Sequence, residues 1–352
     1  MLYWRWAKRA SNTGIENQIF IKHVHHYYFW ALAILPANVA RANGWPNMKI
    51  LIVGSGGVGG FYGGALARKV DDVFFIARGA NLEAILKNGL TIKSVDGEFT
   101  ITPDCGANGE GFGVADLVIV CVKAYDTQKT LGLYRQNVGP GTTIISLQNG
   151  IDNEGIIARE YGKEKVMGAV AFVGSRVEEP GVILHSAFGH IAIGELGGEV
   201  SKRAKTIRRL FVDAGVKCKI SENIIMDIWG KMIWNTGFNA ITAILGVSAK
   251  EAASNEGIRQ TIHGAMMEWI EVAKASGVSL WPELADKNIA VTLKGGDVIP
   301  SMLQDRRSGR QMEIDIINGK AAQLGRTLGI PTPINDTIVS IVSFMNNDAK
   351  PA

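Results

Sequence analysis

The chain has 352 residues, 47% apolar and 20% charged, enough for two domains with a sizeable buried core. Its formal charge of +4 sits at the start: residues 1–47 hold five basic side chains against the single acid Glu16, leaving 32 basic and 32 acidic residues in the body. So balanced a body argues against a nucleic-acid or anionic-membrane partner, and the odd, widely spaced Cys105, Cys121 and Cys218 support neither a disulfide framework nor a zinc site.

In chain order, residues 1–47 come first and stand apart. They carry four of the eight tryptophans and three of the six histidines, and their apolar stretch Tyr27–Leu35 is too short to span a bilayer. This leader reads as a disordered or artefactual extension with Met48 as the functional start; a targeting segment is the alternative. Reduced cysteines fit a cytoplasmic protein.

From Met48, short apolar runs alternate with helical stretches. Lys49–Val53 is apolar throughout after Lys49, as a strand covered on both faces requires. A glycine-rich turn leads into a helix ending near Lys69, and Val73–Ala77 is the second strand. Leu90–Val95 and Glu98–Ile101 predict a hairpin turned at Asp96-Gly97. Asp116–Val122, Thr142–Leu147 and Lys165–Val173 are further strands, and roughly Val182–Ile193 a second hairpin-like patch. After about Ile220 long helical periods dominate, broken at Gly246, Gly277, Pro282, Gly295–Pro300 and Pro331–Pro333. The prediction is an α/β chain: an N-terminal Rossmann-type, doubly wound and mostly parallel sheet over 48–220, then an all-helical domain over 221–352.

The motif Gly54-Ser55-Gly56-Gly57-Val58-Gly59 follows a strand and opens a helix, the context that lifts such a motif above chance. The first glycine permits the tight turn, the second the approach of a pyrophosphate, and the third close helix–strand packing, with the helix N-terminus facing the phosphates. A ligand-free turn is the alternative. An NAD site would place a carboxylate after the second strand; here stands Arg78, suited to a 2′-phosphate, so NADPH/NADP+ is the expected cofactor. A surface arginine is the plainer reading.

Lys123 and Asn149 follow two later strands at the edge where ligands of such sheets lie, although a strand-end lysine is commonly just solvated. Further on, Lys231, Asn235 and Asn239 fall at i, i+4 and i+8 among Met232, Ile233, Trp234 and Phe238. They form one polar line on a bulky apolar helix, costly to bury without partners such as a substrate carbonyl and hydroxyl. A solvent-facing stripe is the alternative. Ser301 could bind a carboxylate and Glu313 could hold a lysine ammonium, though by spacing both are ordinary helix residues. No metal ligation is expected, and His185, His190 and His263 read as structural.

Taken in order, Gly54-x-Gly56-x-x-Gly59, Arg78-Gly79, Val122-Lys123-Ala124, Gln148-Asn149-Gly150, Lys231-x-x-x-Asn235-x-x-x-Asn239, Ser301-Met302-x-Gln304-Asp305, Gly309-Arg310, Glu313-Ile314-Asp315 and Ile330-Pro331-Thr332-Pro333 resemble the ketopantoate reductase (2-dehydropantoate 2-reductase) family, from Met48 to about Phe344. The resemblance implies NADPH-dependent reduction of 2-dehydropantoate to (R)-pantoate, on the way to pantothenate and coenzyme A. It implies that Lys231 is the general acid and that Glu313 orients that lysine and the substrate. Asn235, Asn239 and Ser301 would bind substrate, and Lys123 and Asn149 would contact the cofactor. Val298 and Pro300 stand where the family pattern has polar residues, which opens the alternative of another 2-keto acid. A non-catalytic NADPH-binding sensor is the remaining alternative, and a homodimer through the helical domain is one option for assembly.

Overall fold

The computed structural model describes Trp45 and residues 48–348. The reading of the leader therefore lies outside the described residues except at Trp45. The Trp45 indole donates to Asp213 at 3.2 Å, and the Arg209 guanidinium lies 5.6 Å from its ring. An aromatic ring with one polar edge can cover an apolar surface and still satisfy its N–H, so this residue packs with the body.

Four short strands form the centre of a sheet: β1 (Ile50–Val53), β2 (Val73–Ile76), β6 (Ala115–Val120) and β7 (Val138–Ser146). β1 pairs in parallel with β2 and with β6, and β6 with β7. Because strand side chains alternate, Ile50 and Ile52 enter one core cluster while Leu51 and Val53 enter the cluster on the opposite face. That double burial explains the unbroken apolar runs. With β3 (Leu90–Ser94), β4 (Gly97–Ile101), β5 (Asp104–Gly106), β8 (Val166–Glu179), β9 (Val182–Glu195) and β10 (Cys218–Ile220), the sheet runs β4-β3-β9-β8-β7-β6-β1-β2-β5, with β10 beside β9. The helices of this half are α1 (Gly57–Ala67), α2 (Gly79–Asn88), α3 (Thr127–Thr130), α4 (Asn153–Tyr161) and α5 (Lys202–Asp213).

The patch expected to be a hairpin in itself is instead the single strand β9, paired antiparallel with the equally long β8. Phe188 (φ +65°) and Gly189 (φ +100°) break the strand's alternation where the register against β8 shifts, which mimics a turn in the sequence. The earlier hairpin forms, but its two-residue turn is Val95-Asp96, one residue before the expected Asp96-Gly97; Gly97, with φ +121°, opens β4 opposite Ser94.

Every described element after Ile220 is a helix. The longest, α6 (Ile224–Leu245), begins at Asn223, whose side chain accepts from the Met226 N–H, and ends at left-handed Gly246. Around it pack α7 (Ala249–Ser254), α8 (Glu256–Ala275), α9 (Glu283–Lys294), α10 (Ser301–Arg307), α11 (Asn318–Leu328) and α12 (Pro333–Asp348), sharing a core that includes Phe238, Met266 and Trp269. Residues 308–317 are not helical, against the expectation of ordinary helix there. The Asn346 side chain donates to the Met312 carbonyl and accepts from the Met312 N–H, meeting backbone groups that a helix would have paired internally. Among the described residues no helix is long and apolar enough to cross a membrane.

Candidate active site

The C-terminal ends of β1, β6 and β7 lie side by side, because the three strands are parallel neighbours. β1 opens into the glycine turn. Gly54 adopts φ +101°, and a Cβ on Gly59 would stand 1.9 Å from the Gly54 carbonyl oxygen, so turn and helix pack at a distance that only glycine allows. A Cβ on Gly56, by contrast, would meet nothing within 4 Å, and no side chain caps α1. The first turn thus keeps open space and uncapped N–H groups, a cradle that fits a dinucleotide pyrophosphate. Val58 turns its side chain toward the core, and Ser55 is buried with its hydroxyl held by Asn81 at 2.7 Å. Both therefore offer only their backbone to a ligand. Arg78 follows β2 with an 85% exposed side chain, ion-paired to Asp126 at 3.0 Å.

Lys123 and Asn149 emerge three residues past the ends of β6 and β7. Gln148 fixes this edge by donating to the Val122 carbonyl (2.9 Å) and to Thr127 Oγ1 (2.7 Å), and Asn153 donates to the Asn149 carbonyl (2.8 Å). Against this edge packs the polar line of α6. The Lys231 ammonium donates to Asn149 Oδ1 at 3.1 Å, and a cleft lies between the two elements, lined by Gln148, Asn149, Val170, Ile228, Lys231 and Asn235. Asn235 and Asn239 are only 4% and 2% exposed. The Asn235 amide reaches nothing better than Met232 Sδ at 3.9 Å, and Asn239 Oδ1 has no partner. Buried amides so poorly satisfied are what a site awaiting a polar ligand contains.

Burial pushes the Lys231 ammonium down to about 8, opposed by the nearby Glu313 carboxylate. Glu313 does not bond Lys231 directly. It accepts from the Ala124 N–H (2.9 Å), from Lys123 (3.3 Å) and from Asn149 Nδ2 (3.3 Å), so it reaches Lys231 through the Asn149 amide. The ammonium it holds is that of Lys123, which also donates to Asp305 at 2.5 Å. Burial alone would lower Lys123, but the Glu313 and Asp305 carboxylates outweigh it and raise its pKa above the ordinary lysine value. Lys123 is thus a fixed cation.

The structure brings Lys123, Asn149, Lys231, Asn235 and Glu313 together, with Asn239 one turn further along α6. Ser301 opens α10, which packs on α6 and carries Asp305. Sequence reasoning missed Asp305, although it stands in the Gln304-Asp305 pair. Its burial (2% exposed) and its bond from Arg310 Nε at 3.1 Å follow from the non-helical turn at 308–317, which no periodicity announces. Phe172 was also missed; its ring centre lies 5.9 Å from Lys231 Nζ.

Comparison with known proteins agrees with this geometry. Family models described as ketopantoate reductase PanE/ApbA and its C-terminal region match residues 50–198 and 223–346. A 2-dehydropantoate 2-reductase of Mesorhizobium japonicum is 32% identical over 84% of this chain and 97% of its own. The crystal structure of a 2-dehydropantoate 2-reductase from Geobacter metallireducens superposes with a TM-score of 0.80 at 32% identity, covering 85% of this chain and all of that one. A D-mandelate dehydrogenase solved with NADH and anilino(oxo)acetate gives 0.81 at 25% identity, over 86% and 99%. Fold and site together define an oxidoreductase with a Rossmann-like sheet and a helical C-terminal region. The chain belongs to the ketopantoate reductase family, PanE/ApbA.

Proposed function

We propose that this protein is a cytoplasmic, NADPH-dependent 2-dehydropantoate 2-reductase, forming (R)-pantoate for pantothenate and coenzyme A synthesis. Residues 48–220 form the dinucleotide-binding domain and 221–352 the helical substrate domain. The observation that carries the reading is the buried Lys231 ammonium, held by Asn149 in a cleft whose Asn235 amide is short of partners.

The backbone of Gly54–Gly59 would hold the pyrophosphate, and Arg78 would exchange Asp126 for the 2′-phosphate. When bound, the nicotinamide supplies the hydride. Lys231 binds the C2 oxygen and gives it a proton as negative charge develops there, the point at which a positioned cation stabilises the transition state most. With a pKa of about 8 the ammonium is charged at neutral pH yet acidic enough to release its proton. Asn149 aims the ammonium and Glu313 steadies Asn149, while Asn235, Asn239 and Ser301 bind the polar ends of the substrate. Lys123, fixed by Glu313 and Asp305, holds β6 against the helical half and adds positive charge at the cofactor edge.

The test is oxidation of NADPH by the purified protein with 2-dehydropantoate, against an NADH control. Rapid oxidation with NADPH alone supports the reading; tight NADPH binding without turnover of 2-dehydropantoate contradicts it. A second reading, another 2-keto acid, is favoured by Val298 and Pro300 and by the likeness to a D-mandelate dehydrogenase.

A further inference from the structure

The cleft beside Lys231 has two unlike walls. One is polar, with Gln148, Asn149 and Asn235. The other is apolar: Val170 and Ile228 line it, and Phe172, two residues further along β8, shares the strand face of Val170 and packs into the same group with Trp229.

Phe172 is held in place from behind. Its ring stacks on His190 of β9 (4.9 Å between centroids, 16° between planes), and Phe188 sets an edge against the same imidazole (6.4 Å, 83°). Burial first, then Lys219 and Lys217, push His190 down to about 4, so it is neutral at neutral pH and adds no charge behind the ring. Of the ionisable groups around Lys231, Glu313 acts from the turn at 308–317, with Lys123 and Asp305 beyond it. Proton transfer has no need of an aromatic ledge 5.9 Å from the donor. An apolar branch on the substrate has.

We propose that Phe172, braced by His190 and Phe188, is the specificity-determining residue that receives the C3 substituent of the 2-keto acid and selects bulky branched or aryl groups over methyl. This rests on the keto-acid reading above. A carbonyl oxygen about 3 Å from Lys231 Nζ fixes the position of C2. The carboxylate on one side of C2 is drawn to the poorly satisfied amide of Asn235 on the polar wall, so C3 on the other side turns to the apolar wall, within reach of the ring.

The test is kcat/KM of the full-length protein with NADPH on pyruvate, 3-methyl-2-oxobutanoate, 3,3-dimethyl-2-oxobutanoate and phenylglyoxylate, for the wild type, Phe172→Ala, Phe172→Leu and Phe172→Tyr. Selection of one methyl group in an apolar pocket is worth about 10- to 200-fold, so the wild type is expected to favour the branched and aryl acids over pyruvate by at least that range. Phe172→Ala is expected to lose most of this preference through KM for the bulky acids while pyruvate stays nearly unchanged. Leu should keep part of it and Tyr nearly all. An equal loss on all four acids in both Ala and Leu variants, or an unchanged preference, overturns the inference while leaving the keto-acid reading intact. A wild type that reduces none of these acids, nor 2-dehydropantoate, overturns both.

Discussion

The carboxamide of Asn149 stands between the ammonium of Lys231 and the carboxylate of Glu313: Oδ1 accepts from Nζ at 3.1 Å, and Nδ2 donates to Oε2 at 3.3 Å. An amide suits this position because it accepts at one end and donates at the other, whereas a carboxylate would only accept. Asn149→Ala is expected to lower kcat by about 10²-fold, the lower range for a misplaced general acid. Asn149→Asp should also be slow, since it sets a second carboxylate against Glu313. Single-turnover rates at saturating NADPH would check both.

As the proposed general acid, Lys231 must be protonated to act in reduction. Its pKa lies at about 8, so kcat/KM for reduction should be level below pH 8 and fall as the pH rises through that value. Oxidation of the hydroxy acid needs the neutral amine and should rise over the same interval. Glu313 raises the Lys231 pKa, so Glu313→Gln is expected to move the falling limb to lower pH. A limb that stays in place would remove Glu313 from the electrostatics of Lys231.

Arg78 is the group assigned to choice of cofactor. A hydrogen bond to a charged partner contributes about 1.5–3 kcal/mol, so Arg78→Ala should raise KM for NADPH by roughly 10- to 100-fold and leave KM for NADH almost unchanged. Its partner Asp126 is buried but also accepts from Lys129, so it keeps one cation when the exposed Arg78 side chain is removed, and the protein should fold normally. Equal weakening of both cofactors would contradict the assignment.

Gly56 and Gly59 separate binding from stability. A Cβ at 59 collides with the Gly54 carbonyl, so Gly59→Ala is expected to cost about 1–3 kcal/mol and lower the Tm. A Cβ at 56 meets no protein atom, so Gly56→Ala should melt like the wild type yet bind NADPH more weakly, because the methyl group fills the cradle. Thermal melts with and without NADPH distinguish the two.

What the sequence disclosed and what it hid follow from the range of the interactions. The strands were legible because burial on both faces leaves continuous apolar runs, and the line Lys231, Asn235, Asn239 because a helix repeats locally. The position of Glu313 was not legible. It sits in a non-helical turn set by Asn346, 34 residues away in sequence for its bonds to Met312, and by Asp305, so no local period marks it. The same holds for the bond from Lys123 to Asp305, which joins residues 182 apart. Phe172 was hidden for another reason: on a strand where Val170 and Phe172 alternate with Ala169 and Ala171, an aromatic residue reads simply as core.

Lys231→Ala tests the central claim most directly. The variant keeps the glycine turn and Arg78, so its affinity for NADPH, followed by fluorescence titration, should match that of the wild type. Its turnover of 2-keto acid should fall by about 10²- to 10⁴-fold, the range contributed by a positioned acid. Intact NADPH binding with turnover close to the wild-type rate would contradict the account, because the proton would then come from elsewhere.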